Sequence, residues 1–67
     1  MPAITLNGQP HSLEQSCTVA DLLQSLDLQD KPVVVELDGN ALTRDDHSVA
    51  NVHDGARVEV IVLAAGG

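Results

Sequence analysis

The sequence predicts an α+β fold, a mixed sheet of four to five strands with one helix packed on one face. Three observations point to it. Short alternating or β-branched runs are punctuated by the turn dipeptides Asn7-Gly8, Asp38-Gly39 and Asp54-Gly55. The segment from Val19 to Leu26 carries apolar residues at helical spacing. A chain of 67 residues has room for one domain only.

Ala3-Ile4-Thr5-Leu6 alternates and runs into Asn7-Gly8, the strongest short hairpin signal, because a type I′ turn needs positive φ at both central residues. The return strand is expected over Gln9 to Glu14. Pro10 has no N–H to donate, which places that strand at a sheet edge. Ile4, Leu6 and Leu13 are expected to face the core. Thr18-Val19-Ala20-Asp21 reads as a helix start, with Thr18 as N-cap and Asp21 as the reciprocal acid of a capping box. Val19, Leu22, Leu23 and Leu26 share one face. Cys17, one residue before the cap, is placed to pack on Leu22 as a hydrophobic staple. The helix is expected to stop near Asp27, and Pro32 bars its continuation.

Val33-Val34-Val35-Glu36-Leu37 is β-branched and short, hence a strand. Asp38-Gly39-Asn40 turns the chain, and Ala41-Leu42-Thr43 returns as a short strand. Arg44 to His53 is polar and irregular, with Val49 and Val52 as expected anchors. Asp54-Gly55 is a further turn, and Arg57 to Leu63 is the longest strand. A hairpin, a helix on one face and a last strand inserted between the first and third make a β-grasp, the ubiquitin-like arrangement.

Alternation gives the last strand two faces. Val58, Val60 and Val62 are expected toward the helix, leaving Arg57, Glu59, Ile61 and Leu63 on the open side. Val33, Val35 and Leu37 point inward, leaving Val34 and Glu36 out. Antiparallel pairing of these strands brings Val34 beside Ile61 and Leu63, an apolar cluster suited to partner docking.

Composition narrows the function. The chain has no Phe, Tyr or Trp, so Val, Leu, Ile and Ala must build the core. A domain of this size buries about 60% of its unfolded surface and has a net stability of roughly 3–5 kcal/mol. That leaves no room for a deep active site and disfavours a stand-alone enzyme. The net charge of −7, with Lys31, Arg44 and Arg57 as the only Lys or Arg, is the wrong sign for nucleic acid or an anionic membrane. It suits a basic partner surface. Cys17 is the single cysteine, which rules out an internal disulfide and a multi-cysteine metal site. The N-terminus lacks signal-peptide features and no apolar run is long enough to span a membrane, so a cytoplasmic protein is expected. His11, His47 and His53 lack metal-ligand spacing, Asp45-Asp46-His47 reads as a solvated loop, and no metal site is expected. There is no phosphate-binding glycine loop, so no bound cofactor is expected either.

The remaining chemistry sits at the end. The domain is expected to span residues 1–63, with Ala64-Ala65-Gly66-Gly67 as a flexible reactive tail that has nothing to pack on the core. Fully extended, four residues reach about 13 Å. The paired glycines pass a narrow slot and leave the Gly67 carboxylate unshielded. Such a carboxylate, ionised at neutral pH, can attack the α-phosphate of ATP held in another protein.

On these residues the chain resembles the ThiS-type sulfur carriers of thiamine biosynthesis, over essentially its whole length. The resemblance rests on the Asn7-Gly8 hairpin, Thr18-Val19-Ala20-Asp21-Leu22-Leu23, Val33 through Asn40, Arg44, Asp54-Gly55 and above all Gly66-Gly67. Leu42-Thr43 stands where the family often has Val-Pro, and Ala65 where it often has a further glycine. The resemblance implies that a ThiF-type adenylyltransferase uses ATP and magnesium to adenylate Gly67. Sulfur from a cysteine desulfurase relay then replaces AMP to give a thiocarboxylate, which a ThiG-type thiazole synthase consumes. The carrier has no catalytic residue of its own and is expected to be a monomer when free. A MoaD-type small subunit of molybdopterin synthase shares the fold and tail, but is usually longer. A ubiquitin-like protein modifier would form lysine-linked adducts through Gly67. A plain binding module would work without Gly67.

Overall fold

Residues 1–63 are described by the computed structural model. Strand β1 (Ala3–Leu6) turns through Asn7 and Gly8, with φ of 51° and 80°, into β2 (Gln9–Ser12). Both positive values are those a type I′ hairpin demands. The return strand ends two residues earlier than expected, although Leu13 is still buried. Pro10 sits opposite Thr5 on the outer strand, where its missing N–H leaves no ladder bond unmade.

A two-residue strand, β3 (Cys17–Thr18), leads into helix α1 (Val19–Ser25). The capping box forms as expected: the Asp21 N–H donates to Thr18 Oγ1 at 3.1 Å, and the Thr18 N–H to Asp21 Oδ2 at 3.2 Å. Val19, Leu22 and Leu23 are buried, and Leu26 packs partly against them. The helix ends in a Schellman motif. The Leu28 N–H donates to the Leu23 carbonyl at 2.8 Å and the Asp27 N–H to that of Gln24 at 3.0 Å. Asp27 takes the left-handed position (φ 62°), which glycine usually fills.

Strand β4 (Val33–Leu37) and β5 (Asn40–Leu42) form the second hairpin, again with positive φ at both turn residues, Asp38 (51°) and Gly39 (85°). The last strand, β7 (Arg57–Val62), lies between the first and fourth in the order β2-β1-β7-β4-β5. It runs parallel to β1 and antiparallel to β4. The expected insertion of the last strand and the one-helix mixed sheet are both present. Val35, Val58 and Val60 are buried under the helix together with Ile4, Leu22 and Leu23.

The segment between β5 and β7 departs most from expectation. It contains a 3-10 helix (Arg44–Ser48) and a two-residue strand, β6 (Asn51–Val52), paired antiparallel with β3. Val52 is buried as expected, but Val49 is 71% exposed and anchors nothing. The N–H groups of Val49 and Ala50 both turn back to the Asp46 carbonyl, at 3.1 and 2.8 Å. That tight closure leaves Val49 in solvent, and Ala50 packs on the core instead. Asp45-Asp46-His47 is therefore helical rather than a solvated loop, with His47 half-buried. Val62 keeps the inward phase of β7, yet is 49% exposed, because it occupies the final rung of the β4–β7 ladder, outside the core.

Candidate functional site

Ala64, Ala65, Gly66 and Gly67, the expected tail, lie outside the described residues. The point from which they depart is well defined. The Leu63 N–H donates to the Pro32 carbonyl at 2.8 Å, one step beyond the end of β7. The chain therefore leaves the sheet beside the start of β4.

On the open side of the sheet, Val34 and Ile61 are directly opposed across β4 and β7. They are 37% and 52% exposed, and Leu63, two residues on, is 48% exposed. The expected grouping of Val34 with Ile61 thus follows from register, with Leu63 at the departure point. Farther along the same face the next opposed pair is Glu36 and Glu59. With Arg57, Gly39 and Ile61 they line a shallow hollow of about 380 Å³. Arg57 Nε lies 3.8 Å from Glu59 Oε1, a loose contact between exposed groups.

Leu63 also borders a groove of about 210 Å³ beside the helix end, together with Leu23, Leu28, Lys31, Arg44 and His47. Two of the three Lys and Arg residues of the chain line it, and no Asp or Glu does. His47 Nε2 is buried there without a hydrogen-bond partner among the described residues. The departure point thus has an apolar and acidic face on one side and a cationic groove on the other. The open face was expected from strand alternation, whereas residue types alone conceal the cationic groove, because it depends on which residues the 3-10 helix brings to the helix end.

The other polar groups hold the frame. Asp38 Oδ1 accepts the Arg57 N–H at 2.9 Å, and Asp38 Oδ2 contacts His53 Nε2 at 2.7 Å. These hydrogen bonds, first the backbone one and then that to His53, hold the Asp38 carboxyl below its ordinary range. The same Asp38 contact, helped by the Asp54 carbonyl, raises the His53 imidazole above its usual value. Burial, and then the nearby Asp21 carboxylate, push the Cys17 thiol up, so it is not primed as a nucleophile. Cys17 packs against the core, in keeping with its expected role. Among the described residues no cluster of His, Cys, Asp or Glu is arranged to hold a metal ion. No helix among them is long and apolar enough to cross a membrane.

Comparison with known proteins adds to this geometry. The model of the ThiS family matches residues 4–67. A crystal structure of the thiamine biosynthesis protein ThiS from Geobacter metallireducens is 35% identical, with a TM-score of 0.83, covering 97% of this chain and 99% of that one. A solution structure of a thiamine biosynthesis protein from the same organism is 35% identical with a TM-score of 0.81, covering 97% and 87% of the two chains. No curated protein matches the chain.

Proposed function

The chain belongs to the ThiS family, and on that premise we propose that it is a sulfur carrier of thiamine biosynthesis, loaded and unloaded at Gly67 by other proteins. The observation that carries this reading is the family match, which runs through Gly66-Gly67. Fold, identity and coverage against the Geobacter metallireducens ThiS structure support it.

The chemistry follows from an unhindered carboxylate. In a ThiF-type adenylyltransferase, with ATP and magnesium held by that enzyme, a Gly67 carboxylate oxygen attacks the α-phosphate and pyrophosphate leaves. The acyl-adenylate is an activated carbonyl. A persulfide carried by a cysteine desulfurase relay displaces AMP to form an acyl disulfide, and a second thiol cleaves its S–S bond, leaving a thiocarboxylate on Gly67 and a disulfide on the relay. A ThiG-type thiazole synthase then takes the sulfur. The carrier supplies no catalytic group. Its own contributions are the slender Ala64-Ala65-Gly66 approach to Gly67 and the exposed Val34, Ile61 and Leu63 at the departure point, where the partners dock. These steps place it in the cytoplasm, as a monomer between encounters.

Mass spectrometry of the intact chain tests this reading after incubation with ATP, magnesium, a ThiF-type enzyme and a sulfur source. Exchange of one oxygen for sulfur, localised to Gly67, is the expected result. An unchanged mass with partners that load another carrier refutes it. Blocking Gly67 as an amide abolishes loading without changing the melting temperature. Copurification with a large molybdopterin synthase subunit would move the chain to that pathway, and lysine-linked adducts would make it a modifier.

A further inference from the structure

Two cations meet in the groove beside the end of α1, where Lys31 and Arg44 stand with Leu23, Leu28, His47 and Leu63. Neither Lys31 nor Arg44 makes an ion pair among the described residues, although the chain carries ten Asp and Glu. His47 reaches the same wall, its Nε2 buried and without a hydrogen-bond partner among the described residues. A buried polar atom left in that state destabilises the fold until a partner reaches it. Past Arg44 and His47 the groove continues into a second hollow of about 190 Å³, which shares Leu23 with the first. Two positive charges and an unused ring nitrogen above an apolar floor are complementary to a carboxylate on a slender chain.

The chain has such a carboxylate of its own, close by. Leu63 borders the groove, and its N–H is held by the carbonyl of Pro32, the residue after Lys31. Ala64, Ala65, Gly66 and Gly67 follow, with a reach of about 13 Å. Alanine methyls are small enough for the apolar floor, and glycine lets the backbone reverse. We propose that the Gly67 carboxylate folds back into this groove between Lys31 and Arg44, within reach of His47 Nε2, and docks the chain end on its own domain. This rests on the sulfur-carrier reading, which makes Gly67 the free end, and adds a resting place for it between partners. A thiocarboxylate carries the same charge and docks in the same way. Exposed ion pairs favour the docked form by about fivefold each at most, so a partner with a better site withdraws the end.

The test is heteronuclear NMR of the full chain alone at neutral pH, with Gly67 free or blocked as an amide. Lys31→Gln, Arg44→Gln and Arg57→Gln each remove one positive charge, and Arg57 lies outside the groove. In wild type at about 0.05 M salt, relaxation is expected to show the Gly66 and Gly67 amides restrained. Amidation is expected to release them and to shift the Arg44 Nε and His47 ring signals. Lys31→Gln and Arg44→Gln are each expected to lower the docked-to-free ratio about threefold. Raising salt to about 0.5 M lowers it further. Arg57→Gln is expected to leave the ratio within about 1.5-fold, because only the charges in the groove matter. Equal motion of free and amidated ends in wild type overturns the inference, as does an equal response to Arg57→Gln. Restraint that grows with protein concentration also overturns it, since the groove then takes the end of a second copy. Each of these results leaves sulfur loading intact in the mass-spectrometric test. Docking signals without loading by competent partners bring down the carrier reading alone.

Discussion

Asn7 is the residue through which the first hairpin holds the last strand. Its backbone N–H donates to the Val58 carbonyl at 2.9 Å, and its side-chain Oδ1 accepts the half-buried Val60 N–H at 2.7 Å. Its φ of 51° is one that Asn tolerates and Ala resists. Asn7→Ala therefore does two things at once. It leaves the Val60 N–H without its partner, costing about 1–3 kcal/mol. It also forces a Cβ-bearing residue without a local hydrogen bond into the left-handed region, costing about 1–2 kcal/mol. The sum, about 3 kcal/mol, approaches the roughly 3–5 kcal/mol expected for the whole domain. At about 4–8 °C per kcal/mol, the melting temperature falls by roughly 12–24 °C. Asn7→Asp keeps both an acceptor and tolerance of positive φ, and is expected to lose less than about 1 kcal/mol. The chain has no Trp or Tyr to report unfolding by fluorescence, so far-UV circular dichroism in urea and on heating is the assay. An Asn7→Ala chain within about 1 kcal/mol of wild type, or an Asp variant as damaged as the Ala variant, would refute the reasoning.

Three further outcomes follow from the frame. Asp27→Gly relieves the left-handed position in the Schellman motif and removes a negative charge from a helix C-terminus, so it stabilises the chain by about 1 kcal/mol in urea titration. Leu22→Ala opens the core under a residue only 1% exposed and costs about 2–5 kcal/mol, enough to unfold much of the population as judged by circular dichroism. The His53–Asp38 contact makes stability depend on pH. The folded His53 pKa is raised above 6.5, so its contribution is fully present below that pH and is lost as pH rises through the folded value. Asp38 acts in the opposite direction: its pKa is lowered from 3.8, so its contribution is present above that pH and is lost as pH falls through the folded value. With Asp38→Asn, the His53 titration followed by NMR moves back toward 6.5 and the decline in melting temperature above that pH flattens.

Local signals carried much of the fold. Asn7-Gly8 and Asp38-Gly39 each announce a turn within a dipeptide, because the positive φ belongs to those residues and not to their surroundings. The Val19–Leu22–Leu23 stripe and the Thr18–Asp21 cap are equally self-contained. From these, together with Pro10 as an edge marker, the strand order was legible. The β3–β6 pair was not, because two residues cannot display a period and its partner lies across the whole helix–hairpin unit. Val49 misled for a related reason. Hydrophobicity favours it over Ala50, but the hydrogen bonds closing the 3-10 helix at Asp46 decide which of the two turns inward. At the candidate site, the facing of Val34 and Ile61 followed from alternation and antiparallel register. The opposition of Glu36 and Glu59 follows from that same register. The cationic groove was hidden more deeply, since Lys31, Arg44 and Leu63 come from three separate segments.

The hydrogen bond from Leu63 to the Pro32 carbonyl fixes the last described residue against the start of β4. It sets the centre of a sphere, and the covalent dimensions of the chain set its radius at about 13 Å for the residues that follow. On the proposed carrier reading, a reaction centre that acts on Gly67 enters that sphere while its protein rests against the sheet. On the same reading, successive partners of different shape all solve one distance problem measured from the same peptide. A glycine inserted after Leu63 would lengthen the tether by about 3 Å. It would thereby reveal which partner works at full stretch.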